Sequence, residues 1–217
     1  MDSLFSADSV LMRGLTRLAD VMILNLVFIA TSVPVVTLGA SLTALNFTAM
    51  RIATGACNSV TGDYFRSFRR NFRQATVVAL VIVALAAVLG AWYVVIDSLE
   101  IGPVAELALF AIWYIVAFNF VAAMLFVFPY LANFEGRTRD VFRNARLLSW
   151  RHPLTSLAAL AAIALCIATT TFYPQLTGYG LFWLLVGFAG LAVVNGRLFA
   201  SVFNKYIAAA PTAPGER

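Results

Sequence analysis

The chain of 217 residues contains one histidine, two cysteines and ten carboxylates, and their spacing forms no acid–base, nucleophilic or metal-binding constellation. A lone histidine, His152, excludes a multi-histidine metal site; it stands where an apolar run begins and reads as an interfacial side chain. Cys57 and Cys166 have no close partner for a disulfide or a metal and read as small packing residues. No nucleophile elbow, phosphate-cradling glycine loop or metal-ligand pair occurs. Without a P-loop, no ATP-hydrolysing site of that kind is expected. No catalytic, cofactor or metal residues are expected, and the protein is read as a non-enzyme.

Polar side chains inside long apolar runs are functional suspects, because an amide or charge in hydrocarbon is costly. Asn25, Asn46, Asn119 and Asn195 are the candidate intramembrane polar contacts, with Arg197 beside them and Asp20 and Glu106 near helix ends. Asn119 lies nearest a span centre and is expected to make an interhelical hydrogen bond. Arg197 is expected to snorkel to the surface, with a pair to Asp20 as the alternative. Proton-coupled carriers place carboxylates or histidines at depth, yet no Asp or Glu here falls mid-span. Pro34 and Gly39 interrupt one apolar stretch, but the second half lacks the counterpart a broken-helix binding site would show.

The best candidate for a working surface is the segment from Asp63 to Gln74. At about 100° per residue, Tyr64, Phe65, Phe68 and Phe72 share one arc, and Arg66, Arg69, Arg70 and Arg73 share another. This pattern predicts a short helix lying in the cytoplasmic headgroup plane, with Asp63 favoured near its N-terminus by the helix dipole. Asn71 falls beside the aromatic stripe, and Gln74 falls between stripe and arginines. The surface either seats the bundle in anionic lipid or docks onto a protein partner. A second amphipathic helix is predicted between Asn133 and His152, where Val141, Phe142, Ala145 and Leu148 oppose Arg139, Arg143 and Arg146.

These segments sit in a chain that is 62% hydrophobic and 12% charged, well away from the balance of a soluble domain. The net charge of +5 reflects basic residues flanking apolar runs, so it points to orientation and anionic headgroups and not to nucleic acid. The stretches after Ile96 and after Phe172 carry no Lys or Arg, whereas the segments before Leu18, from Arg51 to Arg73 and from Arg137 to Arg151 carry most of them. That asymmetry predicts a polytopic all-α membrane bundle with both termini cytoplasmic.

Six spans are expected at about 18–33, 37–54, 75–96, 104–131, 154–172 and 180–206, forming one membrane domain over 1–207 with a disordered tail from Ala208 to Arg217. The first two runs are each short, so a hairpin at 32–36 is preferred, with five spans or a re-entrant pair as alternatives. Gly39-Ala40-Ser41 is a weak match to a signal-peptidase site, and the first run is read as a retained helix. Asp8 or Ser9 is expected to cap the first helix, Gly55 to end the second and Pro153 to open the fifth span. Trp92 and Tyr93 read as interfacial anchors, while Trp113 and Tyr114 are expected to pack inside. Small residues, among them Ala158, Ala162, Gly187, Gly190 and Gly196, would let helices approach closely.

The string from Pro34 to Leu45 and the segment from Asp63 to Ala75 resemble the YesL-type family of bacterial integral membrane proteins, which carry a domain of unknown function. The Phe128-Pro129 step, the Phe134-Glu135 pair and Arg151-His152-Pro153 are similar as well, so the resemblance covers nearly the whole chain. Members are often encoded beside carbohydrate ABC importers. The resemblance therefore implies an accessory or assembly role in sugar uptake, with permease subunits as partners. A stand-alone small-molecule transporter or channel is the rival reading.

Overall fold

A computed structural model describes residues 10–208. The expected caps Asp8 and Ser9, and all of the expected tail except Ala208, lie outside the described residues. Seven α-helices occur among them: α1 (Val10–Ser32), α2 (Leu38–Thr54), α3 (Val60–Ser98), α4 (Pro103–Asn133), α5 (Thr138–Arg151), α6 (Pro153–Phe172) and α7 (Phe188–Ala208). A 3-10 turn, Val35–Thr37, leads into α2, and a π-helical segment, Trp183–Gly187, leads into α7. Six helical stretches among the described residues are long and apolar enough to cross a membrane, so the chain is a multi-pass all-α membrane bundle.

Each boundary has a local cause. Pro34 cannot continue α1, and the chain reverses through the 3-10 turn, so a hairpin joins the first two runs; its turn packs beside Thr76, which fits the re-entrant alternative better than two full crossings. Gly55 ends α2 in the left-handed region at φ 74°, where its N–H reaches the carbonyl of Ile52 at 3.2 Å. Ser59 caps α3 by accepting the Gly62 N–H at 3.2 Å. Pro103 and Pro153 occupy the first turns of α4 and α6.

Helix α2 is central, with ten of its residues buried, most of them Gly, Ala, Ser or Thr. Small side chains let neighbouring backbones close in where lipid supplies no hydrophobic drive. A Cβ added at Gly39 would overlap the carbonyl of Ala75 and lie 2.8 Å from the Cβ of Ala79. At the other end of α2, a Cβ on Gly196 would meet the Met50 backbone at 3.2 Å. One core cluster gathers Leu24, Ala44, Ala49 and Tyr64 where α1, α2 and α3 meet. A second joins Val78, Phe126, Val141, Phe199 and Phe203 across α3, α4, α5 and α7.

The amphipathic segment 64–73 differs from expectation. It is not a separate helix in the headgroup plane but the first part of α3, which runs unbroken from Val60 to Ser98. Nothing between Gln74 and Ala79 breaks helix, so the polar part and the apolar span merge. Along this helix the Thr76 hydroxyl donates to the Val36 carbonyl at 3.3 Å, placing the α1–α2 turn beside Thr76. From Thr76 to Ser98, α3 advances about 33 Å at 1.5 Å per residue. The α3–α4 turn therefore stands roughly one hydrocarbon thickness beyond the α1–α2 turn.

This outer half of the α3–α4 hairpin leaves Leu80, Val83, Val94, Leu107 and Phe118 exposed. Trp113 pins it, donating Nε1–H to the Leu89 carbonyl at 2.9 Å and packing edge-on against Tyr93 at 5.1 Å. Tyr114 points outward instead of packing inside, because it follows Trp113 by 100° of helix turn.

Candidate functional site

The inner part of α3 presents a buried stripe at helical spacing: Val60, Asp63, Tyr64, Ser67, Asn71, Ala75 and Val78. Its centre lies nearer Ser67 and Asn71 than the aromatic arc does, so burial of the rings is graded. Tyr64 is fully buried, Phe68 and Phe72 are half-buried against the cores, and Phe65 is exposed. Tyr64, Phe68 and Phe72 form a ladder with centroid spacings of 6.2 and 5.6 Å. The Tyr64 hydroxyl meets the hydroxyl of Thr31, which also accepts from Ser41 at 3.1 Å.

Most polar members of the segment are engaged within the chain. Asn71 is buried, its Nδ2 donating to the Ser67 carbonyl at 3.0 Å. Arg70 donates to the Ala132 carbonyl at 2.8 Å and lies over the Phe47 ring. Gln74 donates to the Gly136 carbonyl at 2.8 Å. Asp63, 4% exposed, receives Nε–H of Arg51 at 2.7 Å and faces Arg66 at 3.5 Å. Beside this pair, burial and then the Asp63 carboxylate push the Cys57 thiol up to about 11. Phe65, Arg66, Arg69, Arg70 and Arg73 are the exposed members of the segment, and of these arginines Arg69 and Arg73 have no ion pair or side-chain hydrogen bond among the described residues.

The second amphipathic helix forms as predicted. In α5, Val141, Ala145 and Leu148 are buried with Phe142 half-buried, while Arg139, Arg143 and Arg146 are exposed. Where α5, α4 and α7 converge lies a cleft of about 290 Å³ lined by Tyr130, Phe134, Asn144, Arg151, Phe203 and Tyr206. Asn144 donates to the Tyr130 hydroxyl at 2.7 Å. At its edge, Nε2 of His152 lies 3.0 Å from the Tyr206 hydroxyl. Burial, then Lys205 and Arg151, lower the His152 pKa below 6.5, so the ring is neutral at pH 7.

The four intramembrane asparagines have four different surroundings. Asn25 is completely buried; its Nδ2 donates to the carbonyls of Trp183 and Leu184 at 2.9 and 2.7 Å, and its Oδ1 accepts the Ala189 N–H at 2.9 Å. The side chain thus replaces hydrogen bonds that α7 would otherwise make to itself, which accounts for the π-helical register at Trp183–Gly187. Asn46 donates to the Leu42 carbonyl in its own helix at 2.8 Å. Asn119 does the same with Ile115 at 2.8 Å, and not across helices as expected; it is half-buried in a groove shared with Trp150 of α5. Asn195 is 6% exposed, and its Oδ1 is buried without a hydrogen-bond partner. Arg197 is exposed, and no ion pair joins it to Asp20 among the described residues. The role of Asn25 as a splice into another helix was beyond the reach of the sequence, since a lone Asn in an apolar run names no partner.

A family model described as "Protein of unknown function, DUF624" matches residues 21–93. The matched stretch covers about a third of the chain and contains both strings that carry the resemblance, Pro34–Leu45 and Asp63–Ala75. In space it corresponds to the second half of α1, all of α2 and most of α3, which pack on one another through Gly39, Thr31 and Tyr64. No curated protein and no solved structure matches the chain.

Proposed function

We propose that this chain is a non-catalytic, multi-pass component of a bacterial inner membrane that serves a carbohydrate ABC import system as an accessory or assembly subunit. The YesL-type resemblance supports the importer context. The observation that carries the docking role is a cationic rim: Arg69 and Arg73 on α3, with Arg139 and Arg146 on α5, are exposed and lie outside the ion pairs of the described residues. Arg70 and Gln74 hold α3 to the end of α4 and the α4–α5 connection, Arg139 stands in the first turn of α5 just after it, and Arg146 lies two turns further along α5. Phe65 adds an exposed ring to the same region. A rim of this kind can meet either anionic headgroups or an acidic face of a permease.

Purification in mild detergent tests the reading. Permease subunits should travel with the wild-type protein and be lost with Arg69→Glu/Arg73→Glu, while the variant still inserts in membranes. The rival, a stand-alone carrier or channel, is favoured by the intramembrane cleft between α2, α4 and α7. It predicts substrate flux by the pure protein in liposomes. Flux without any associated permease would contradict the accessory role. Salt-sensitive binding to anionic vesicles alone would assign the rim to lipid.

A further inference from the structure

We infer that the cleft where α4, α5 and α7 converge binds the phosphate headgroup of an anionic phospholipid, held by the Arg151 guanidinium and the Tyr130 hydroxyl. Its place at the ends of two spans points to lipid. Arg151 stands two residues before the span that opens at Pro153, and Lys205 and Tyr206 close the span Trp183–Tyr206. The cleft therefore lies at a membrane boundary, where headgroups are. Tyr130, Phe134, Phe203 and Tyr206 make its walls aromatic, which suits the glycerol and ester region beside a phosphate.

Charge and free donors set the chemistry. Arg151 lines the cleft and has no ion pair or side-chain hydrogen bond among the described residues, so its N–H fork is open to a phosphate. The Tyr130 hydroxyl accepts from Asn144 at 2.7 Å, which leaves its own O–H to donate to a second acceptor. Lys205 and Arg151 both act on the His152 ring at the edge of the cleft, so two cations share this corner and repel an ammonium headgroup. No carboxylate among the described residues lines the cleft: Glu135, next in sequence to Phe134, is not part of its wall, and Asp140 faces Arg143 at 3.3 Å. A phosphate of net negative charge therefore fits better than a zwitterionic headgroup. The volume of about 290 Å³ corresponds to roughly ten waters at ~30 Å³ each, enough for a phosphate with its glycerol. It is too small for two acyl chains, which lie in the surrounding bilayer.

The full-length protein in a neutral detergent is titrated with phosphatidylglycerol and with phosphatidylcholine of the same acyl chains, and native mass spectrometry counts the lipids retained. The first phosphatidylglycerol should bind about tenfold more tightly than phosphatidylcholine, the scale of one charge-assisted hydrogen bond. Arg151→Gln should weaken it by about tenfold and remove the preference. Tyr130→Phe should weaken it roughly three- to tenfold, and carries the test if the first variant does not fold. Arg143→Gln removes the same charge from the same helix outside the cleft and should leave binding unchanged. Equal retention of both lipids by the wild-type protein would overturn the site. So would a loss in Arg143→Gln as large as in Arg151→Gln, which would make the attraction diffuse. Displacement of phosphatidylglycerol by an equal concentration of inorganic phosphate would assign the cleft to a free anion and overturn it as well.

Discussion

Oδ1 of Asn25 in α1 accepts the backbone N–H of Ala189 in α7 at 2.9 Å, while its Nδ2 holds two carbonyls one turn earlier in the same chain segment. One side chain thereby fixes the register of the seventh helix against the first. Asn25→Leu strands one buried backbone N–H and two part-buried carbonyls, and at about 1–3 kcal/mol for the buried group a loss of roughly 2 kcal/mol in stability is expected. Thermal unfolding in a fixed detergent measures it. Asn119→Leu, whose amide bonds only within its own helix, should change stability by less than about 1 kcal/mol.

A methyl group at Gly39 must displace the α3 backbone at Ala75, because the obstruction is a carbonyl and not the end of a flexible side chain. Gly39→Ala should therefore cost roughly 1–3 kcal/mol, as overpacking does. Gly190→Ala, where a Cβ meets open space, should be neutral or slightly stabilising. Paired melting curves of the two variants decide this, and equal curves would remove the close approach.

Asp63 is shared by Arg51 and Arg66, but the Arg51 side chain is about a third exposed, which weakens the pair through solvent. Asp63→Asn and Arg51→Met should each cost about 1–3 kcal/mol. The double variant should cost less than their sum, since the second change no longer strands a charge. A double-mutant cycle reads the coupling directly.

Cys57 reacts through its thiolate, and a pKa raised to about 11 means that this form is scarce at neutral pH. In a Cys166→Ala background, maleimide labelling at pH 8 should be slow and should accelerate as pH rises toward that value. Replacing Asp63 with Asn removes the second cause of the shift and should speed labelling at every pH below 11. Labelling as fast as a free thiol at pH 8 would contradict the half-buried position beside Asp63.

Six apolar stretches, the α1–α2 hairpin, the Gly55 terminus and both faces of α5 were legible in the sequence because each follows from local spacing, glycine or proline chemistry. The aromatic arc of α3 was legible as an arc but not as a packed one. A helical wheel gives a face without naming what covers it, and the clue lay in Asp63, Ser67 and Asn71 sharing the buried stripe. Polar residues there suit a protein neighbour and not lipid tails. Merging of the amphipathic segment with the third span was legible in the lack of a helix breaker between Gln74 and Ala79, but the two-faced arc pointed instead to a separate surface helix. The unpartnered oxygen of Asn195 depends on α2, α4 and α6 converging on one side of α7, which no spacing within α7 encodes.

The offset between the two turns gives the most direct test of how the bundle sits in lipid. The outer half of α3 is long enough for one crossing, and Val36 lies at its inner end beside Thr76. Single cysteines at Val35, Glu100 and Arg70 in a cysteine-free background, labelled in intact cells with a membrane-impermeant maleimide, read the three heights. The arrangement predicts rapid outside labelling at Glu100 and protection at both Val35 and Arg70. Equal outside labelling at Val35 and Glu100 would contradict it, because one straight α3 cannot hold both turns at the same surface.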